Sequence, residues 1–104
     1  IVIYDHLCRY MKNKNINKIR IKLDALDNKL LDILKKRTNL VNKILKEKTY
    51  KKQIVDKKRI KLILRNIKKK SKTKKIDTEL TERIWLAMIR GFISYEFRNF
   101  NKRK

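Results

Sequence analysis

The stretch that decides the fold is IRIKLDALDNKLLDILKKR, residues 19–37, within a run from Ile16 to Lys48 that contains no proline or glycine. Apolar residues recur in this run at helical spacing, in two seven-residue series. The two series form one apolar seam made of Ile16, Ile19, Leu23, Leu26, Leu30, Ile33, Leu40 and Ile44. The sequence predicts a single helix over this run, about 50 Å long at roughly 1.5 Å per residue. A chain of 104 residues is too short to cover the seam, so we expect an intertwined homodimer.

Two shorter helices are predicted after the long one. Asp56 is expected to cap the second helix, because apolar residues follow it at helical spacing: Ile60, Ile63, Leu64 and Ile67. The basic run Lys68–Lys75 is expected to be a loop. Asp77 then caps a third helix that ends near Phe100, with an apolar face of Leu80, Ile84, Ala87, Met88, Phe92 and Tyr95.

No strand pattern and no internal repeat is visible, so the predicted fold class is all-α, with three helices of which one is very long. We expect residues 16–104 to form one helical domain and residues 1–15 to be an N-terminal extension, to which the sequence assigns no role.

The composition limits the possible functions. The chain has 32 Lys and Arg against 10 Asp and Glu, a formal net charge of +22, so we expect an anionic partner: a nucleic acid, an acidic lipid surface or a small polyanion. Solvated lysines without a function explain the same excess. Cys8 and His6 are the only residues of their types, so no metal site is expected and a reducing cytoplasm is the expected location. No apolar run is long enough to cross a bilayer.

One cation interrupts the seam. Arg37 stands where an aliphatic residue is expected, and a buried cation must be paired or bind a ligand, because desolvating it alone is costly. Lys48 falls within about 20° of Arg37 on a helical face. Arg20 lies too far along the helix to join them in its own chain, but a second copy would bring it close. With Arg59, these four cations predict a pocket for a compact dicarboxylate.

Simpler explanations remain open for three of these cations. Arg20 and Lys48 are also consistent with ordinary surface residues, and Arg59 with a local contact to Asp56, three residues before it.

The segment from Ile19 to Arg37, followed by Lys48 and by VDKKR at residues 55–59, resembles the all-α class of chorismate mutases. The resemblance extends from about Ile16 to Phe100. It implies an intertwined homodimer of three-helix chains that converts chorismate to prephenate without a cofactor, on the route to phenylalanine and tyrosine.

The resemblance also implies roles for individual residues. Arg20 matches an arginine donated across the dimer, Arg37 a carboxylate-binding arginine, and Lys48 the lysine near the ether oxygen of the substrate. Asp56 and Arg59 match the start of the second-helix motif.

Glu96 matches a third-helix position that is Gln or Glu in the family. The rearrangement needs no nucleophile; it needs a folded dianion and stabilised negative charge on the oxygen of the breaking C–O bond. Lys48 can donate to that oxygen, and Glu96 can do so when protonated. We therefore expect activity to fall as the pH rises, and Glu96→Gln to flatten the profile.

Two positions depart from the mutase pattern. Ile60 replaces a frequent Glu that contacts the substrate hydroxyl, and Phe92 replaces a frequent Ser. Isochorismate pyruvate-lyases share the fold and tend to be apolar at these positions, so a lyase is the alternative within the family, and a dimer without turnover is a further one.

Outside the enzyme class, a basic helical protein could bind nucleic acid through Lys68–Lys75 and the lysines of the first helix. The sequence has no aromatic stacking platform and no recognition motif, so nucleic acid is not the expected partner.

Overall fold

The computed structural model describes residues 2–101, with side chains from Leu7 onward. Three α-helices follow one another in this part of the chain: α1 is Val2–Glu47, α2 is Lys57–Thr73 and α3 is Thr78–Asn99. A short 3-10 helix, Lys51–Gln53, lies between α1 and α2, and no strand occurs among the described residues. The predicted all-α class with three helices, one of them very long, is confirmed.

The helix α1 is longer than predicted at its beginning. It starts at Val2 rather than at Ile16, because residues 2–15 contain no glycine or proline to stop a helix and continue it without a break. It ends at Glu47, so Lys48 is the first residue after it.

The prediction that Lys68–Lys75 forms a loop is wrong for most of that run. The helix α2 continues to Thr73, and the side chain of Ser71 bonds to the carbonyl oxygen of Ile67 one turn earlier, at 2.7 Å. The turn comes only at Lys75, whose φ of 58° is left-handed. The amide of Ile76 then closes the helix end on the carbonyl oxygen of Ser71, at 2.9 Å.

Both predicted caps are present. A carboxylate oxygen of Asp56 accepts a hydrogen bond from the backbone N–H of Arg59, at 3.0 Å, and Asp77 accepts one from the N–H of Leu80, at 2.9 Å. These bonds satisfy backbone donors at the two helix starts that have no partner within the helix.

The chain divides into two compact units, the first ending at Arg37 and the second beginning at Thr38. The described part of the first unit, residues 2–37, lies entirely within helix α1. Its six seam residues are between 43% and 57% exposed: Ile16, Ile19, Leu23, Leu26, Leu30 and Ile33.

The second unit has a packed core. Leu45, Ile54 and Phe100 form a buried cluster, with Ile93 against it. Along the α2–α3 hairpin, the buried hydroxyls of Ser71 and Thr81 are 2.8 Å apart and hydrogen-bonded. In α3, Gly91 is exposed, and a Cβ built there would meet no atom within 4 Å.

Within residues 2–101, none of the helices combines the length and the hydropathy needed to span a bilayer.

Candidate active site

The centre of the candidate site is an ion pair between two residues that are 48 positions apart in the chain. The ammonium Nζ of Lys48 lies 2.9 Å from Oε1 of Glu96 and donates a hydrogen bond to it. The two side chains are only 18% and 10% exposed. The structure therefore brings together the two residues that the resemblance marks as donors to the reacting oxygen.

The core of the second unit holds this pair in place. Leu45 precedes Lys48 by three residues, and its carbonyl oxygen accepts the backbone N–H of Lys48 at 3.2 Å. Phe100 follows Glu96 by four residues, so the two lie on one face at the end of α3. Leu45 and Phe100 pack in the same buried cluster, so the ion pair of Lys48 and Glu96 lies next to apolar side chains. Electrostatic interactions are stronger in such surroundings than in water.

Gln53 shapes the turn after Lys48, and it was not among the predicted site residues. Its side-chain oxygen accepts the backbone N–H groups of Thr49 and Tyr50, at 2.7 and 2.8 Å. These bonds fix the path of the chain directly after the lysine. The signal was available, because a Gln three residues after a helix-capping position is typical of a capping box.

An open cleft of about 640 Å³ adjoins the pair. Its lining residues are Lys48, Gln53, Val55, Asp56, Lys57 and Lys58. Its volume falls in the range of small-molecule sites, roughly 300–1,000 Å³. Three cations and one carboxylate line it, so the cleft favours an anionic ligand. Asp56 and Lys48, both predicted site residues, share this cleft.

The other predicted residues of the second unit are placed less centrally. Arg59 is exposed, and within the described part of the chain its guanidinium forms no ion pair with Asp56; the local contact is the backbone cap alone. Ile60 and Phe92 are both half-buried. The ring of Phe92 contacts Tyr95 edge to face, with centroids 6.5 Å apart.

Tyr95 in turn ties α3 to the end of α1. Its hydroxyl donates to the side-chain oxygen of Asn42 at 2.7 Å, and its carbonyl oxygen accepts from Asn99 at 2.8 Å. Glu96 is the next residue, so these bonds orient the part of α3 that carries the carboxylate.

Two predicted residues belong to the first unit. Arg37 is half-buried, and its Nε has no contact with solvent. Arg20 is exposed. The partial burial of Arg37 agrees with its position in a series that is otherwise aliphatic.

Among the described side chains, no three His, Cys, Asp or Glu residues lie close enough together to hold a metal ion. The groups that converge on the cleft are hydrogen-bond donors and charges, and they can bind, orient and stabilise an anion.

The fold and the site define a class: an all-helical protein with an open, mainly cationic cleft beside a half-buried lysine and a buried carboxylate. Residues 19–97 match the family model of chorismate mutase type II. The chain belongs to the chorismate mutase type II family. No curated protein and no solved structure matches it significantly.

Proposed function

We propose that this protein is a chorismate mutase, which rearranges chorismate to prephenate on the route to phenylalanine and tyrosine, and that it acts in the cytoplasm as an intertwined homodimer. The observation that carries the proposal is the contact between Lys48 and Glu96 at 2.9 Å, beside a cationic cleft. Membership of the family supplies the substrate class.

To catalyse this rearrangement, the protein has to bind the substrate in its reactive conformation and stabilise the developing negative charge. The substrate is a flexible dianion that must fold so that its two reacting carbons meet, and negative charge grows on the ether oxygen as the C–O bond breaks. Lys48 presents a positive donor with little exposure to water, and a preorganised donor of this kind stabilises the transition state more than the ground state.

Glu96 modulates that donor. In the ligand-free protein its carboxylate accepts the hydrogen bond of Lys48, so the pair is neutral as a whole. The ether oxygen replaces Glu96 as the acceptor when the substrate binds. Glu96 gives the ether oxygen a second donor only in its protonated form, in which it no longer repels the dianion.

Carboxylate binding is assigned to Arg37, Arg59 and Arg20, with Arg20 contributed by a second copy. The exposed seam of α1 supports this assembly, because exposed aliphatic rows of that length are typical of surfaces that another chain covers. Guanidinium groups bind carboxylates through two parallel hydrogen bonds, which fixes orientation as well as charge.

The half-buried side chains of Ile60 and Phe92 support a second candidate, an isochorismate pyruvate-lyase. A site without polar groups at these positions has fewer ways to bind the ring hydroxyl of chorismate. The same cations would then bind isochorismate and stabilise charge on the oxygen of the pyruvate that leaves.

The test is to incubate the pure protein separately with chorismate and with isochorismate and to separate the products by chromatography. Prephenate from chorismate is the expected product. Salicylate and pyruvate from isochorismate, with no prephenate, would establish the lyase instead. No product from either substrate would identify a family member that keeps the fold without turnover.

A further inference from the structure

The helix α2 carries the most concentrated charge in the chain. Its 17 residues include nine Lys or Arg and no Asp or Glu. The helix α3, in the same chain, has three basic and three acidic residues. A general drift toward lysine would affect both helices, so it does not explain the difference between them.

Five of these cations form a row along one side of α2, spaced four, four, three and four residues apart: Lys57, Lys61, Arg65, Lys68 and Lys72. At about 100° per residue they fall within roughly 80° of the helix circumference, and the row is about 22 Å long. We call it the basic row. Its second half exists only because α2 continues to Thr73, since Lys68 and Lys72 would have no fixed direction in a loop.

The basic row is available to a partner. All five residues are exposed, and in the part of the chain that the structure describes none of them forms an ion pair. Among the described residues, carboxylates come near it in two places: Asp56 lines the site cleft beside Lys57, and Glu79 and Glu82 share a cleft of about 310 Å³ with Arg65 and Lys68. Glu79 is paired there with Arg83, at 3.0 Å.

We propose that the basic row binds the phosphate backbone of a double-stranded nucleic acid, independently of its base sequence. Duplex phosphates present a line of negative charge, about one per 1.7 Å of helix axis, and a straight row of long cationic side chains complements such a line. This inference goes beyond the proposed enzymatic function and does not rest on it.

The surroundings of the row favour a duplex over the other anionic partners. The helix α2 contains no aromatic residue, so it offers no platform on which unpaired bases could stack. Its apolar side packs against α3, and Leu62, 39% exposed, is the one exposed apolar residue of the helix, the others being half-buried. A helix that lies in a membrane surface needs a free apolar face, and α2 does not have one.

Binding to labelled 20-base-pair duplexes, one of DNA and one of RNA, tests the proposal by fluorescence anisotropy over a range of salt concentrations. The informative variant changes Lys61, Lys68 and Lys72 to Gln. The matched control changes Lys14, Lys18 and Lys22 to Gln, which removes the same charge from three exposed lysines spaced along α1. Circular dichroism of both variants checks that they remain helical.

We expect the α2 variant to bind at least about tenfold more weakly than the control at 100 mM salt. The slope of log K against log salt should become shallower by about 3, close to 0.9 for each phosphate that the variant no longer neutralises. The duplex that binds more tightly, DNA or RNA, identifies the source of the phosphates.

Equal weakening in both variants would show that net charge alone attracts the duplex, and would overturn the proposal. No binding by the wild type at 100 mM salt would overturn it too, as would tighter binding to a single strand of the same length. Vesicles containing 30% phosphatidylserine serve as a further probe; loss of vesicle binding in the α2 variant with unchanged duplex binding would assign the row to a membrane instead.

Discussion

The two units of this chain differ in how much of their apolar surface they bury, although Leu40 and Ile44, the two seam residues that lie in the second unit, are 59% and 55% exposed. In the second unit Leu45 is 1% and Ile54 is 3% exposed, whereas the six seam residues of the first unit are all at least 43% exposed. Helices in proteins derive most of their stability from packing an apolar face. The second unit supplies that packing from its own sequence, whereas the apolar face of the first unit is exposed.

The largest expected effect comes from charging the seam. Leu26→Glu combined with Leu30→Glu should make the protein monomeric and lower prephenate formation more than about 100-fold, because Arg20 of a second copy no longer positions the substrate. Sedimentation velocity and a turnover assay measure the two effects. Asn28→Glu adds the same kind of charge at an exposed position off the seam and should change neither. A double variant that stays dimeric would remove the seam from the interface.

The next effect concerns the site of the second unit. Lys48→Ala should lower kcat by about 10²–10³ with a smaller change in KM, as expected for a donor to charge that develops in the transition state. The control is Lys46→Ala, two residues earlier and exposed, which should leave kcat and KM nearly unchanged.

Lys48→Ala also leaves the buried Glu96 without its cation, which destabilises the fold. Adding Glu96→Gln to Lys48→Ala should therefore restore the midpoint of thermal unfolding without restoring kcat. Recovery of kcat in this double variant would show that the lysine contributes to stability rather than to catalysis.

A third prediction concerns stability. Leu45→Ala should lower the free energy of unfolding by about 2–5 kcal/mol, because it opens a cavity in the core of the second unit. Leu31→Ala, at a position 62% exposed in the first unit and off the seam, should cost less than about 0.5 kcal/mol. Urea unfolding measures the free energy of unfolding of both variants. Equal losses would contradict the contrast between the buried Leu45 of the second unit and the exposed Leu31 of the first.

The smallest effect is the pH dependence set by Glu96. The wild-type rate should fall as the pH rises, because only a protonated carboxyl donates to the ether oxygen. Glu96→Gln donates at every pH, so its rate should depend less on pH than the wild-type rate does. Parallel profiles for the two proteins would exclude Glu96 from this role.

Local signals in the sequence predicted much of the fold. The caps at Asp56 and Asp77 and the apolar period of α1 each depend on residues within one or two turns of one another, and all three are present. The contact of Lys48 with Glu96 joins distant parts of the chain; helical spacing had predicted Lys48 as a site residue, whereas only the family resemblance marked Glu96.

The features that sequence reasoning missed depend on tertiary contacts or on the absence of a stop signal. The end of α2 was misjudged because a lysine run looks like a loop, whereas the bond between the buried hydroxyls of Ser71 and Thr81 is visible only once α3 lies alongside. The start of α1 was misjudged because residues 2–15 have little apolar periodicity, although nothing in them breaks a helix. Gln53 acts through the geometry of a turn.

Gly91 has a practical consequence for anyone who wishes to alter this protein. A glycine inside a helix costs about 1 kcal/mol relative to alanine, and here a methyl group would meet nothing within 4 Å in its own chain. Alanine at that position would therefore give a more stable protein. The added stability would offset the loss of folding free energy that is expected when polar side chains are introduced at positions 60 and 92, where a change of substrate preference would be engineered.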